Sequence, residues 1–393
     1  MWHLRGGKFL QLVIFIAAAV TVHMVWAQSV RTGSLSLTTQ DRLEDAGWWP
    51  TKGDPARNNY VGNAACRECH GKLAALQETT PMYHAAVRAA QSEILESSKQ
   101  LNFHDALYQY SLITTSTGVK YSVSDGVNSD TSDVEWAFGV GKIGQTYLLE
   151  KNGVYTESHL SYYSALSALD ITIGEAADAP SEMDKALGQP LNHNTAQHCF
   201  SCHTTAVLTS NIFEPEKAIA GVTCEACHGP GAKHVAAMRI QHTEQGSRST
   251  IMDPEKLSAS DSVDFCGACH RTWSDVAMQM PPNIGVTSVR FQPYRLEKSR
   301  CWGKNGDARI TCIACHDPHE PLVREPRSYD SNCLACHVTK GQPQQKGATA
   351  PACKVSVSSC VSCHMPKYEV PQSHTTFTDH YVRIVRAGAG FPS

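Results

Sequence analysis

The chain has 393 residues, 41% of them apolar, 18% charged and 27 glycine, enough apolar material for one sizeable core or two modest ones, which excludes global disorder. Lys plus Arg number 34 against 37 Asp plus Glu, a formal net charge of −3; this near-balance excludes both a basic face for nucleic acid and an acidic tail. Sixteen cysteines are too many for an ordinary cytosolic enzyme and too few for a small disulfide scaffold.

Residues 1–27 read as a secretory signal peptide. Arg5 and Lys8 precede an apolar run from Leu12 to Val22, and Val25-Trp26-Ala27 offers a small-residue cleavage site before Gln28. The run is about 11 residues, short of the roughly 20 that a spanning helix needs, so the expectation is export without a transmembrane anchor. The mature chain then carries 32 cationic against 37 anionic side chains, a net of −5. An N-terminal extension (28–65) leads to the first of a series of motifs in the segment 66–100, where a helical stretch is expected from Met82 to Lys99 after Pro81.

The segment 101–178 has strand character. Alternating runs at Tyr108–Leu112, Val119–Val123, Val134–Phe138, Gln145–Leu149 and Gly153–Glu157 are punctuated by Gly118, Gly126 and Asn152-Gly153. Lys151-Asn152-Gly153 between two such runs is a hairpin signal. The spacing predicts an inserted antiparallel sheet of four or five strands. From 179 to 364 strand signals fade into short helical or irregular segments with Pro, Gly and Asp around each motif, and 341–351 reads as a surface loop. The fold class expected from these elements is mainly α or irregular with an inserted antiparallel β-sheet, and what fills its core is read from the motifs.

The motifs carry that expectation. Fourteen cysteines fall into seven copies of C-x-x-C-H: Cys66/Cys69/His70, Cys199/Cys202/His203, Cys224/Cys227/His228, Cys266/Cys269/His270, Cys312/Cys315/His316, Cys333/Cys336/His337 and Cys360/Cys363/His364. This is the c-type haem attachment signature; composition alone would give roughly 0.03 copies. Two thiols separated by two residues each add to one vinyl group of a single haem, and the adjacent imidazole meets the iron. Zinc ribbons and redox C-x-x-C disulfides use paired cysteines too, but neither requires histidine after every second one. The expected cofactor is haem c, seven copies, covalently attached, so the fold class expected is a mainly α or irregular multihaem cytochrome c fold with an inserted antiparallel β-sheet, in which haems form much of the core. Cys301 and Cys353 belong to no motif; an exported chain would pair them in a disulfide, worth about 2–4 kcal/mol, the alternative being a cysteine ligand to iron.

Ten histidines are neither proximal nor within the signal: His84, His104, His159, His193, His198, His234, His242, His319, His374 and His380. Ten spare imidazoles for seven irons favour bis-histidine ligation, which holds potentials below those of Met/His carriers; Met82 and Met365 are the methionines best placed to dissent. His84 and His234 each open an expected helix, and His319 follows His316 too closely to reach round its own haem. His374 and His380 lie in the tail 365–393, which can return over two haems. His234, Met238 and His242 share one helical face, so one of them ligates. His193 and His198 rank next, with His104 and His159 beside the sheet ranking last.

The runs Ala65-Cys-Arg-Glu-Cys-His70, Gly221-Val-Thr-Cys-Glu-Ala-Cys-His-Gly-Pro-Gly-Ala-Lys-His234, Cys312-Ile-Ala-Cys-His-Asp-Pro-His319 and Cys360-Val-Ser-Cys-His-Met-Pro366, with the closing Ser373–His380, together resemble the cytochrome c554 type of multihaem cytochrome. The resemblance covers roughly 60 to 380, including the sheet and the Cys301 and Cys353 positions. It implies that His234 and His319 are distal ligands, joined by His84 and by one or both of His374 and His380. The departure is haem number, four in cytochrome c554 against seven motifs here.

The functional expectation is a non-catalytic electron carrier working between redox partner proteins, quinol-linked or other cytochromes. Fourteen propionates against a net −5 polypeptide would engage Arg290, Arg295, Lys298, Arg300 and Arg309 in pairing. A rival expectation is a multihaem oxidoreductase with one open iron acting on a small nitrogen or sulfur compound; the chain has no C-x-x-C-K variant. A third is a subunit of an extracellular haem filament.

Overall fold

The computed structural model of the protein describes residues 56–393 apart from 211, 242–249, 282–283, 303–309, 338–352, 387 and 393. The signal peptide, most of the N-terminal extension, His242, Arg309 and the 341–351 loop thus lie outside the described residues.

Alternation of apolar and polar residues builds the largest regular element, a nine-stranded antiparallel sheet: β1 (Ala86–Arg88), β2 (Gln100–His104), β3 (Gln109–Thr115), β4 (Gly118–Ser124), β5 (Ser129–Phe138), β6 (Gln145–Lys151), β7 (Val154–Tyr163), β8 (Ala168–Ile171) and β9 (Gly188–Pro190). Strands β2 to β8 pair in sequence order, β1 adds to β5 and β9 adds to β7. The two ends of the path, β2 and β8, lie against each other, so the sheet nearly closes into a barrel. Tyr110, Leu112, Val119, Tyr121, Val123, Tyr147, Leu149 and Leu160 fill its interior, each on the inward position of its strand.

All five expected runs are strands, and the hairpin sits where expected. Lys151 pairs with Val154 across a two-residue turn in which Asn152 (φ 56) and Gly153 (φ 78) are both left-handed, the type I′ geometry that Asn-Gly favours. Two expectations change. The sheet is larger than four or five strands, and among the described residues it is the largest single element beside many short helices, so the fold is mixed rather than mainly α. The helix expected over Met82–Lys99 does not form: Ala86–Arg88 is captured as a strand by β5, with Ala86 opposite Phe138, and the only helical pieces are a 3₁₀ turn at Ala89–Gln91 and an α-helical turn at Glu93–Ser97, capped by the Ser92 hydroxyl, which accepts from the Leu95 amide. An available sheet edge outcompetes helix propensity in so short a segment.

His159 and His104 both belong to this sheet. His159 is 2% exposed and stacks on Tyr110 at 6.0 Å; His104 sits on β2 opposite Gln109. Nearby, the Asp105 carboxylate closes the β2–β3 turn by accepting from the Leu107 and Tyr108 amides and the Tyr110 hydroxyl at 2.7–2.8 Å. Burial alone would raise the Asp105 pKa, but these donors outweigh it and hold the carboxyl below its usual value. A depressed folded value means stability that is present above the unfolded pKa near 3.9 and lost as pH falls through the folded one. Asp105→Asn should remove that acid-dependent part, seen as a flatter loss of near-ultraviolet dichroism between about pH 4 and pH 2.

The tail folds back over the chain. A hairpin pairs Lys367–Glu369 with Thr376–Thr378, and beyond it Arg295 and Asp379, both fully buried, form a two-point ion pair at 2.9 Å. Arg383 adds a second cation to Asp379 at 2.6 Å. Among the described residues no helix is long and apolar enough to cross a membrane.

Candidate functional site

Each C-x-x-C-H unit lies on a helical turn or its edge. The motif of His70 lies within α1 (Gly62–Gln77) and that of His203 ends α2 (His193–His203). The motif of His228 is itself α3 (Cys224–His228), after which come α4 (Ala232–Gln241) and α5 (Ala259–His270), which the His270 motif closes. The remaining three use a 3₁₀ turn at Cys312–Ala314, α6 (Asp330–Leu334) and α7 (Cys360–His364). On a helical turn residues i, i+3 and i+4 share one face, so this spacing aims two sulfurs and an imidazole the same way. They aim into one space: all seven motifs line a single cavity of about 4410 Å³. The side-chain core beside it is thin, built on Phe265 and Ala268 with Cys227, Cys266 and Cys269 packed around them.

Hydrogen bonds tie the motifs to one another in a fixed order. Between the first and third, the Asn63 side chain accepts from the Cys224 amide at 3.3 Å and thiol at 3.0 Å. There too Glu225, 1% exposed, accepts from the amides of Val61, Gly62 and Gly231 at 2.7–2.9 Å. The third adjoins the fourth through Cys227. The second adjoins the fourth through the Cys202 thiol on the Ala268 carbonyl at 3.6 Å. The fourth meets the fifth where the Cys266 and Cys312 sulfurs come close, and Asn332 donates to the Ala314 carbonyl between fifth and sixth. Asp330 joins sixth to seventh by accepting from the amides of Ser359 and Cys360, each at 2.8 Å. The connected order is 1–3–4–5–6–7, with the second motif branching from the fourth.

Three spare imidazoles face motif imidazoles across the cavity. Ring centroids are 6.4 Å apart for His70 and His234, 6.1 Å for His228 and His319, and 6.3 Å for His316 and His380. Two imidazoles on opposite faces of one metal ion, each bound through nitrogen at about 2.0–2.1 Å with roughly 1.1 Å more to the ring centre, have centroids about 6.2–6.4 Å apart. The three pairs fit that separation.

The other ring nitrogen is anchored in five of the motif and facing histidines. Nδ1 of His203, His228, His364 and His380 lies 2.8–3.1 Å from the carbonyls of Ala85, Met252, Arg383 and Thr378, and Nδ1 of His319 lies 3.0 Å from Asp317. An Nδ1–H held by a carbonyl leaves Nε2 as the ligand and makes it more basic. Burial keeps His203, His228, His270 and His316 below the usual imidazole range and His380 at about 4, so they are neutral, the form a metal binds. Paired thiols, trans-spaced imidazoles and anchored Nδ1 atoms around an open cavity fit haem c.

The other candidates sit elsewhere. His84 points Nε2 at the Glu78 carbonyl, 2.8 Å away; His193 packs edge-on against Phe213; His198 contacts Arg271 at 3.4 Å. His374 pairs with Asp170 at 2.8 Å and meets the edge of Tyr163. None of these four lines the cavity. Cys301 and Cys353 do line it. Of the arginines expected to pair propionates, Arg290 and Arg300 line the cavity, whereas Arg295 is committed to Asp379, and the Lys298 ammonium lies over Tyr294 at 4.7 Å.

The anchoring carbonyls, Asn63, Glu225 and Asp330 were not anticipated; the one sequence signal was the acidic residue inside the third motif. Glu225→Ala leaves three amide donors without their buried acceptor and should lower stability by at least about 2 kcal/mol, read as a lower midpoint in thermal unfolding of the holoprotein.

Residues 161–229 match the family of cytochrome c554 and c-prime. The multiheme cytochrome MtrA of Shewanella baltica is 25% identical over 187 residues, 44% of this chain and 53% of that protein. The dissimilatory sulfite reductase MccA of Wolinella succinogenes is 25% identical over 182 residues, 37% of this chain and 22% of that protein. The chain thus matches about half the length of the first relative and about a fifth of the second. The outer cell wall cytochrome OcwA is similar in structure at TM-score 0.47 and 18% identity, over 83% of this chain and 80% of that one. The protein is a multihaem c-type cytochrome, and the part that the cytochrome c554 family covers spans its second and third motifs.

Proposed function

We propose that this is an exported electron-transfer cytochrome carrying seven covalent haems, working in the periplasm or outside the cell between redox partner proteins. The observation that carries the reading is the unbroken order of motif contacts around one cavity. Each haem, when bound, supplies one reversible one-electron exchange. The chain does the rest. The paired cysteines would fix a haem in position and prevent its loss, and each motif histidine would offer an imidazole nitrogen to the iron. His234, His319 and His380 would offer a second imidazole at the sites of His70, His228 and His316. Anchored Nδ1 atoms raise ligand basicity and hold potentials low. Arg290 and Arg300 offer cations to the propionates.

The test is reductive titration of the oxidised holoprotein with a one-electron donor, followed by reoxidation. Uptake and release of seven electrons per chain, without consumption of nitrite, hydroxylamine or sulfite, supports the carrier. Turnover of one of these compounds, accompanied by a high-spin iron signal, overturns it. The likeness to MccA favours that second reading, a multihaem reductase of a small sulfur or nitrogen compound.

A further inference from the structure

The sheet packs against the second motif through two of its residues, Phe200 and His203. The side chain of His203, at the end of α2, is held on two sides by residues of the sheet. Its Nδ1 lies 3.0 Å from the Ala85 carbonyl, immediately before β1. Its ring lies parallel to that of Phe138, the last residue of β5, at 4.9 Å between centroids and 11° between planes.

The two contacts are one construction. Ala86 and Phe138 are partners in the β1–β5 register, and the Ala85 carbonyl that meets His203 also accepts the Gly139 amide at 2.8 Å. Gly139 lets the chain turn away at once: its φ is +92°, and a Cβ there would stand 2.4 Å from the Gly144 carbonyl oxygen. Phe138 is in turn gripped edge-on by Phe200 at 5.1 Å and Trp136 at 6.2 Å, within a buried cluster that includes Leu148 and Leu191. Phe200 lies on α2, three residues before His203, so one helical turn holds the aromatic ring from both sides. Elsewhere the anchors come from outside the sheet: Met252 serves His228 and Arg383 serves His364.

We propose that Phe138 and the Ala85 carbonyl are positioning residues for His203, so that the sheet sets the imidazole plane and ligand basicity at one haem site of the seven. This rests on the reading that the second motif carries a haem ligated by His203. A carbonyl on Nδ1 fixes the tautomer and strengthens the ligand. A flat ring against one face removes the remaining freedom, rotation about the bond to Cβ, and excludes water from the imidazole. The inserted sheet then acts as a tuning clamp on the branch site beside the main order of motifs.

The test uses the full-length holoprotein with Phe138→Leu, Phe138→Met and Phe138→Tyr, each read by haemochrome count, low-temperature EPR and a spectroscopic redox titration. Leu and Met fill much of the volume without a planar ring. Both should shift one low-spin EPR component and one midpoint potential of the seven, leaving six unchanged. Tyr keeps the stack and should restore the wild-type values. Leu191→Ala loosens the same cluster at a residue that does not line the cavity and should lower stability without moving any EPR component. The proposal is overturned if the Leu and Met variants, loaded with haem, match wild type, if they shift several sites together, or if Tyr behaves as they do. A wild-type count below seven with the second motif unmodified overturns the haem reading instead, so the two failures are distinct.

Discussion

Alanine in place of His234, His319 or His380 should each convert one low-spin iron to high-spin, seen as about one iron equivalent of new high-spin EPR signal per substitution. The reason is geometric. These are the imidazoles that face a motif imidazole at 6.1–6.4 Å, the separation that two nitrogen ligands across one metal ion require. Removing one leaves that iron with its motif histidine alone, and the lost ligand field changes its spin state and raises its potential. His84, His193, His198 and His374 supply the contrast. Each is engaged with a carbonyl, an aromatic ring, an arginine or a carboxylate away from the cavity, and alanine at any of them should leave the spin states as they are. The three pairs are independent sites, so the effects of H234A, H319A and H380A should add in a triple variant. High-spin signal from His84→Ala in place of His234→Ala would reverse the assignment.

Much of this was legible in the chain. The seven pentapeptides fix their own chemistry through a five-residue spacing, and His234 and His319 could be named because each lies within six residues of a motif histidine in a distinctive run. His380 could be placed in the returning tail but not separated from His374. What separates them is the partner each meets: Asp170 on β8 takes His374, an encounter between positions about 200 apart that no local pattern records. His84 was drawn toward the cavity by an expected helix that the edge of β5 prevents. The sheet was legible where strands alternate cleanly, and less so at β1 and β9, three-residue strands made only by pairing. The order of motif contacts lies in long-range encounters, the hydrogen bonds of Asn63, Glu225, Asn332 and Asp330 and the close approach of motif cysteines to other motifs, and was not readable.

Breaking the buried ion pair of the tail should have the second large effect. Arg295 and Asp379 are both 0% exposed and meet at two points of 2.9 Å. The guanidinium also lies over the Phe391 ring at 4.5 Å and donates to the Pro392 carbonyl at 3.1 Å. Removing one partner of such a pair leaves an uncompensated buried charge, at a cost of about 3–5 kcal/mol. Asp379→Ala strands both Arg295 and Arg383, and should cost more than Arg295→Met, which leaves Asp379 paired with Arg383 at 2.6 Å. The damage should also reach the site. His380 follows Asp379 directly, and its carbonyl is held by the Ser299 hydroxyl at 3.2 Å, so loosening the tail loosens the imidazole that faces His316. Denaturant unfolding of D379A should show the loss of stability, and its EPR spectrum should carry a partial high-spin signal that R295M shows more weakly. Lost stability with no high-spin signal would mean that His380 is held independently of the ion pair.

The central claim is that seven haem sites form one connected set in a single chain. Intact-mass measurement of the purified, exported holoprotein, with a pyridine haemochrome count against protein, tests it most directly. The account predicts a chain starting at Gln28 that carries seven covalent haems, with every cysteine of the seven motifs blocked to alkylation. Fewer than seven, with a motif's cysteine pair free to alkylate, would interrupt the order from first motif to seventh and contradict it.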